Sequence, residues 1–286
     1  MPELPEVELL KEHLQEKLIG WRIHRTNVIK LRIVRPESPE KLARCVNDSE
    51  ILGIQRKGKY LLILLSHEKK TCTLFIHLGM TGRLYALTSS EQDKSPHCKV
   101  AIEWECDQGK LVFQDPRTLG RVSMDPLSVD RLGPDAWNSE ALSKTTLRER
   151  LGKSRSSIKT LLMDQHRVAG LGNIYVNESL FRAGIHPEQS GCALSEVQWQ
   201  RLFDGIRGAL DEAFTHGRSC SLDWQGSHQS DGFFYFGSQS NNRSKKEERF
   251  RVYDRAHQPC FVCQASIEKM EIAGRSTYYC PRCQSL

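Results

Sequence analysis

Cys260-Phe-Val-Cys-Gln-Ala-Ser-Ile-Glu-Lys-Met-Glu-Ile-Ala-Gly-Arg-Ser-Thr-Tyr-Tyr-Cys-Pro-Arg-Cys283 holds two Cys-x-x-Cys units with sixteen residues between them. Each unit presents two thiolates to one side of a tetrahedral ion, so the pair reads as a zinc ribbon. Ile267, Ile272, Thr277, Tyr278 and Tyr279 supply strand-forming residues for a hairpin that would bring Cys260, Cys263, Cys280 and Cys283 together. Four thiolates close the coordination sphere, so the one expected Zn2+ is structural. A redox role would need a single such pair in a βαβ unit. Gly274-Arg-Ser-Thr277 falls at the expected tip, where the Arg275 fork could reach a phosphate; a solvated surface arginine is the plain alternative.

The remaining six of the ten cysteines are scattered singly. The start of the chain has no basic-then-apolar leader, so neither a signal peptide nor a disulfide framework is expected, and the location expected is cytoplasmic. At 286 residues the chain has room for roughly two domains of about 150 residues each. Apolar residues make up 38% and charged residues 27%, a soluble globular balance, and no apolar run approaches membrane-spanning length. The net charge of +6 fits a polyanionic partner without demonstrating one.

Working toward the N-terminus, residues 195–216, 174–183, 158–163 and 142–151 carry helical periodicity, and Ser195-Glu-Val-Gln198 forms a capping-box signature. Residues 218–249 are polar and turn-rich. Before the Gly-Pro break at Leu132-Gly-Pro134, six short β-branched and aromatic runs (21–28, 51–55, 60–65, 71–77, 99–104 and 110–113) predict an antiparallel β-sandwich. Val7, Leu10, Leu14 and Leu18 predict a helix ahead of them, ending near Gly20.

Met1-Pro-Glu-Leu-Pro-Glu-Val-Glu8 carries chemistry as well as a helix start. Removal of Met1 would leave Pro2 as a secondary amine with a pKa of about 8, nucleophilic near neutral pH. Attack on a sugar C1′ would give an iminium, and the carboxyl groups of Glu3 and Glu6 could move protons beside it. The bland alternative is proline and acids favouring the positive end of a helix.

Six further motifs stand in order along the chain: Arg56-Lys-Gly-Lys-Tyr-Leu61, Ile76-His-Leu-Gly-Met-Thr-Gly82, Asp115-Pro-Arg-Thr-Leu-Gly120, Ile158-Lys-Thr-Leu-Leu-Met-Asp164, Val168-Ala-Gly-Leu-Gly-Asn-Ile-Tyr175 and Asn177-Glu-Ser-Leu-Phe-Arg-Ala-Gly-Ile-His-Pro187. With the N-terminus and the cysteine pairs, this chain resembles the formamidopyrimidine-DNA glycosylase family over nearly its full length.

The resemblance implies an α+β fold: a catalytic β-sandwich domain with an N-terminal helix (1–131) and a helix–two-turn–helix DNA-binding domain (139–226). A lesion-capping loop with a connecting strand (227–258) and a zinc finger (259–286) would follow. The implied partner is double-stranded DNA containing damaged bases, bound between the domains by a monomer, with no membrane. The implied reaction removes oxidised purines and nicks the strand by β,δ-elimination. Pro2 would form the Schiff base, Glu3 would protonate the ring oxygen or leaving group, and Lys59 and Arg275 would assist the eliminations. His97, Arg117, Lys159 and Asn173 would contact DNA, Met80 and Leu119 would fill the gap left by the flipped base, and Glu6 and Glu178 would support.

Two departures bear on specificity. The family commonly has Arg-Arg-Phe where this chain has Arg117-Thr118-Leu119, and the capping loop expected at 231–249 carries extra residues around 237–248. Two alternatives remain open at this level. One is an endonuclease VIII-like enzyme for oxidised pyrimidines, against which Leu4 argues; the other is a catalytically silent DNA-damage binder.

Overall fold

The computed structural model describes residues 2–67, 70–93, 96–226 and 250–286. The chain forms two compact units, residues 1–130 with 217–241 and residues 131–216 with 242–286. The expected capping loop, 231–249, lies outside the described residues.

In the first unit, helix α1 (Leu4–Leu18) is followed by strand β1 (Arg22–Val28), helix α2 (Pro39–Val46) and strands β2 (Ser49–Lys57), β3 (Tyr60–His67), β4 (Lys70–His77), β5 (Arg83–Thr88), β6 (Val100–Cys106), β7 (Gly109–Gln114) and β8 (Arg121–Ser123). A short helix α3 (Leu127–Asp130) ends the run. The six expected strands and the expected first helix are all present, within a few residues at their ends. Helix α2 and strands β5 and β8 were not expected. Helix α2 did leave a signal, because Ser38 caps it by accepting the Lys41 N–H and Pro39 opens it.

Hydrogen bonding joins the strands into one antiparallel sheet of order β5-β7-β6-β1-β2-β3-β4-β8, rather than two separate sheets. Register breaks between Ile23 and Arg25, Ile51 and Gly53, and Val100 and Ile102 let that sheet bend. Helix α1 packs on β2 and β3 in mid-order and on β5 at the end, so the sheet wraps the helix in two layers. Leu4, Val7, Leu10, Leu14 and Leu18 are wholly buried there. A second apolar cluster (Tyr85, Leu87, Val100, Val112) is covered by Trp224.

The register gathers one end of the sheet. Lys57 faces Tyr60 across a turn made by Gly58 and Lys59, Tyr60 faces His77, and His77 faces Arg121. Arg83 faces Gln114, so the connections 78–82 and 115–120 leave the sheet together.

The second unit contains α4 (Lys144–Leu151), α5 (Ile158–Met163), α6 (Asn173–Ala183) and most of α7 (Glu196–Ser219), then the hairpin β9 (Glu268–Ile272) and β10 (Arg275–Tyr279). Ser143 and Ser157 cap α4 and α5, and Gly184 ends α6 in the left-handed conformation at φ 64°. The expected capping box opens α7: the Gln198 N–H donates to Ser195 Oγ at 3.2 Å, and the Ser195 N–H donates to Gln198 Oε1 at 2.9 Å. Among the described residues no helix is long and apolar enough to cross a membrane.

Candidate functional site

Pro2 is buried where the chain enters α1, and Glu3 is the N-cap of that helix. Glu3 and Glu6 form a reciprocal capping box in which the Glu3 N–H donates to Glu6 Oε2 at 2.9 Å. Glu3 is 1% exposed, so its carboxyl is held against the first turn beside Pro2. Removal of Met1 would place the Pro2 amine beside this buried carboxyl, the two groups that glycosidic bond cleavage with imine formation needs.

Lys59 follows at a fixed remove. The Glu8 carboxylate on α1 accepts Lys11 Nζ at 2.6 Å and Arg56 Nε at 2.5 Å, and Arg56 Nη1 donates to the Gly58 carbonyl at 2.9 Å. The helix therefore pins the β2–β3 turn that presents Lys59. Burial pushes the Glu8 pKa up, but Lys11 and Arg56 outweigh it and leave it below the ordinary carboxylate value. His77 stands at the same end of the sheet, with its ring 4.7 Å from that of Tyr60. Burial, then the charges of Lys59, Arg121 and Arg35, push its pKa down to about 4, so the ring is neutral near pH 7. Its Nδ1 accepts the Gly79 N–H at 3.0 Å, which leaves the proton on Nε2.

The two connections expected to probe DNA are built as one unit. The Asp115 carboxylate, fully buried, accepts Thr81 Oγ1 at 2.7 Å, the Gly120 N–H at 2.7 Å and the Arg117 N–H at 3.3 Å. Gly79 lies so close to the other connection that a Cβ there would stand 2.6 Å from the Leu119 carbonyl carbon. Met80 and Leu119 are 39% and 43% exposed, and Arg117 is exposed between them in sequence. A pair of exposed apolar side chains on a rigid double loop suits insertion into a base stack better than core packing. His97 is exposed in a single helical turn before β6.

In the second unit, Gln165 staples the turn between α5 and α6. Its Nε2 donates to the carbonyls of Met163 (3.0 Å) and Leu171 (2.7 Å), and its Oε1 accepts the Gly170 N–H at 3.0 Å. Asn173 opens α6, and its Nδ2 donates to the Ser276 carbonyl at 2.9 Å. Asn177, one turn on, accepts the Tyr278 N–H at 3.0 Å.

Lys159 departs from expectation. Read as a DNA contact, it is 1% exposed, and its Nζ donates to the Ser276 carbonyl (2.9 Å) and Thr277 Oγ1 (2.7 Å). A buried ammonium committed to the hairpin is not placed to take a phosphate; it holds β10 and thereby seats Arg275. Glu178 is likewise internal. Its carboxylate accepts three successive backbone N–H groups, those of Arg251, Val252 and Tyr253, at 2.9, 3.0 and 2.9 Å. It anchors the chain where it enters the zinc module. Arg275 is exposed beside the two-residue turn Ala273-Gly274, whose φ angles of 49° and 72° suit the tight hairpin.

The four cysteine Sγ atoms lie within 4.8 Å of one another. Cys260 and Cys283 are 3.9 Å apart, and Cys263 and Cys280 are 3.4 Å apart. Four thiolates about 2.3 Å from a tetrahedral ion would be about 3.8 Å from each other, so the cluster fits zinc. Backbone N–H groups of Val262 and Cys283 point at Cys260 and Cys280 sulfurs, each at 3.4 Å, as expected for thiolates.

Asp115, Gln165, Asn177, Glu8 and His77 were not singled out by the sequence. All but Gln165 sat inside quoted motifs, but a buried clamp such as Asp115 is visible only once two distant loops meet.

A sheet domain led by a helix, a two-turn helix pair and a zinc hairpin together define the class of helix–two-turn–helix DNA glycosylases. Family models match residues 1–122 (formamidopyrimidine-DNA glycosylase N-terminal domain), 132–223 (the helix–two-turn–helix domain of the same enzymes) and 258–286 (the zinc finger found in these enzymes and in isoleucyl-tRNA synthetase). Proteins named formamidopyrimidine-DNA glycosylase from Chloroflexus aurantiacus and Burkholderia thailandensis are 39% and 35% identical, over 99% of this chain and 98% and 100% of their own. The Lactococcus lactis enzyme, solved bound non-covalently to DNA containing an abasic site, superposes with a TM-score of 0.82 at 29% identity, covering both chains fully. Its G226P variant with DNA containing a formamidopyrimidine gives 0.84 at 30% identity, again over both full chains. The chain belongs to the formamidopyrimidine-DNA glycosylase family.

Proposed function

We propose that this protein is a bifunctional DNA glycosylase and AP lyase of base excision repair, acting on oxidised purines in double-stranded DNA. The carrying observation is the buried Pro2–Glu3 pair at the start of α1, in a chain related to these enzymes from end to end. The damaged base is flipped out of the duplex, because its C1′ cannot be reached in the stack. With Met1 removed, the Pro2 nitrogen bonds to C1′ as the bond from C1′ to the base breaks. Glu3 supplies the proton taken by the ring oxygen or leaving base, and the opened sugar is held as an iminium. Loss of a C2′ proton then expels the 3′-phosphate, with Lys59 assisting, and a second elimination assisted by Arg275 expels the 5′-phosphate. Water releases the sugar fragment from Pro2.

Met80, Arg117 and Leu119 fill the gap in the duplex and face the orphaned base. Asn173 and His97 bind backbone phosphate, while Lys159, Glu178 and Glu6 act through the elements they hold. The working division is a catalytic segment 1–131, a DNA-binding segment 139–226, a capping segment 227–258 and a zinc finger 259–286, in a cytoplasmic monomer. Cys260, Cys263, Cys280 and Cys283 would hold the zinc, which with four thiolate ligands would brace the hairpin and leave no open position for chemistry.

The test is base release from duplexes carrying 8-oxoguanine, a formamidopyrimidine or an oxidised pyrimidine. Faster release and nicking at both purine lesions is expected. Preference for the pyrimidine would favour the endonuclease VIII-like reading, and binding without release would favour a silent damage binder.

A further inference from the structure

The end of the sheet that carries the 115–120 loop also gathers positive charge. Arg35 donates from Nη2 to the Gly120 carbonyl at 3.4 Å, and the Arg35 carbonyl accepts Arg121 Nε at 3.0 Å. The backbone reinforces this lock, since the Arg35 N–H donates to the Val122 carbonyl at 3.2 Å and Val34 bridges Val122. Lys30 Nζ donates to the Asp115 carbonyl at 3.0 Å. Arg35 and Arg121 both act, with Lys59, on the same neutral His77 ring.

Among the described residues, no ion pair involves Lys30, Arg35 or Arg121. The neighbouring acids face other donors: Asp115 takes Thr81, Arg117 and Gly120, and Glu37 takes Ser123 Oγ (3.1 Å) and the Met124 N–H (3.0 Å). Cations tethered together by carbonyls, with carboxylates turned away, repel one another, and an arriving anion relieves that repulsion.

We propose that Arg35 and Arg121, with Lys30 beside them, form a clamp for a DNA backbone phosphate next to the 115–120 loop. The assignment rests on the glycosylase reading. The same Arg35 that would meet the phosphate holds the Gly120 carbonyl, so phosphate capture and the posture of Leu119 are mechanically linked. Arg117 is left to the bases.

The test is the affinity of the zinc-loaded protein for a duplex with a non-cleavable abasic analogue, measured across a salt series. The double variant R35Q/R121Q should lower the slope of log affinity against log salt by about two contacts' worth, roughly 0.9 each. A scan of single neutral methylphosphonates should find one phosphate beside the lesion whose neutralisation weakens the wild type and not the variant. An unchanged slope, or additive losses at every phosphate, overturns the clamp. If thermal melting shows the double variant unfolded, R121Q alone should lose about one contact by the same reading, and an unchanged slope there overturns the clamp equally. Absence of salt-dependent lesion binding in the wild type would instead overturn the glycosylase reading.

Discussion

Glu3 does two jobs with one carboxyl group, and a single atom separates them. Glu3→Gln keeps an oxygen that can accept the Glu6 N–H, yet has no proton to give. Base release should fall about a hundredfold or more while lesion-duplex affinity stays within a few-fold; unchanged release removes Glu3 from the chemistry. Lys159 makes the contrasting case. Lys159→Met fills similar space but leaves the Ser276 carbonyl and Thr277 hydroxyl without their ammonium, at a cost of about 1–3 kcal/mol. Zinc content should hold, while the second elimination slows relative to the first as Arg275 loses its seat. An unchanged product ratio would separate Lys159 from Arg275. The helix start at Pro2 and Glu3 was legible in its proline and acids, while the chemistry proposed for them came from the family resemblance. The burial of Lys159 was not, because its partners lie 117 and 118 positions away on another element.

Periodicity made most elements legible. Helix α5 has the expected limits, and α1, α6 and α7 differ from them by a few residues at most. What escaped was short or one residue deep: β8 has three residues, and each bulge that lets the sheet bend comes from a single register break. The zinc hairpin was the most legible element, since cysteine spacing states its own geometry. Cys260→Ala should abolish stoichiometric zinc, unfold the β9–β10 hairpin and weaken DNA binding by removing Arg275 and the partners of Asn173 and Lys159. Metal analysis of the freshly purified protein should give one zinc per chain; a value near zero contradicts the site.

Across the whole molecule, charge placement makes stability depend on pH in a direction that can be worked out. Burial, then Lys17, holds His13 at about 4 against the pull of Glu91, and burial with its cationic neighbours holds His77 there too. An unfolded histidine takes its proton near 6.5, so below that pH the unfolded chain binds more protons than the folded one. Stability is full above about 6.5 and falls as pH drops toward 4, with His77 worth up to about 3 kcal/mol. Thermal melting should show this fall, and His77→Gln should flatten it; an equally steep profile in the variant contradicts the assignment. The central claim, that the Pro2 amine is the nucleophile, is tested most directly by borohydride trapping of protein whose intact mass shows Met1 removed. Mixed with lesion-bearing duplex and reductant, it should yield a covalent protein–DNA adduct attached through Pro2, because an iminium is reducible. Base release with no adduct, from protein verified to begin at Pro2, would contradict the account.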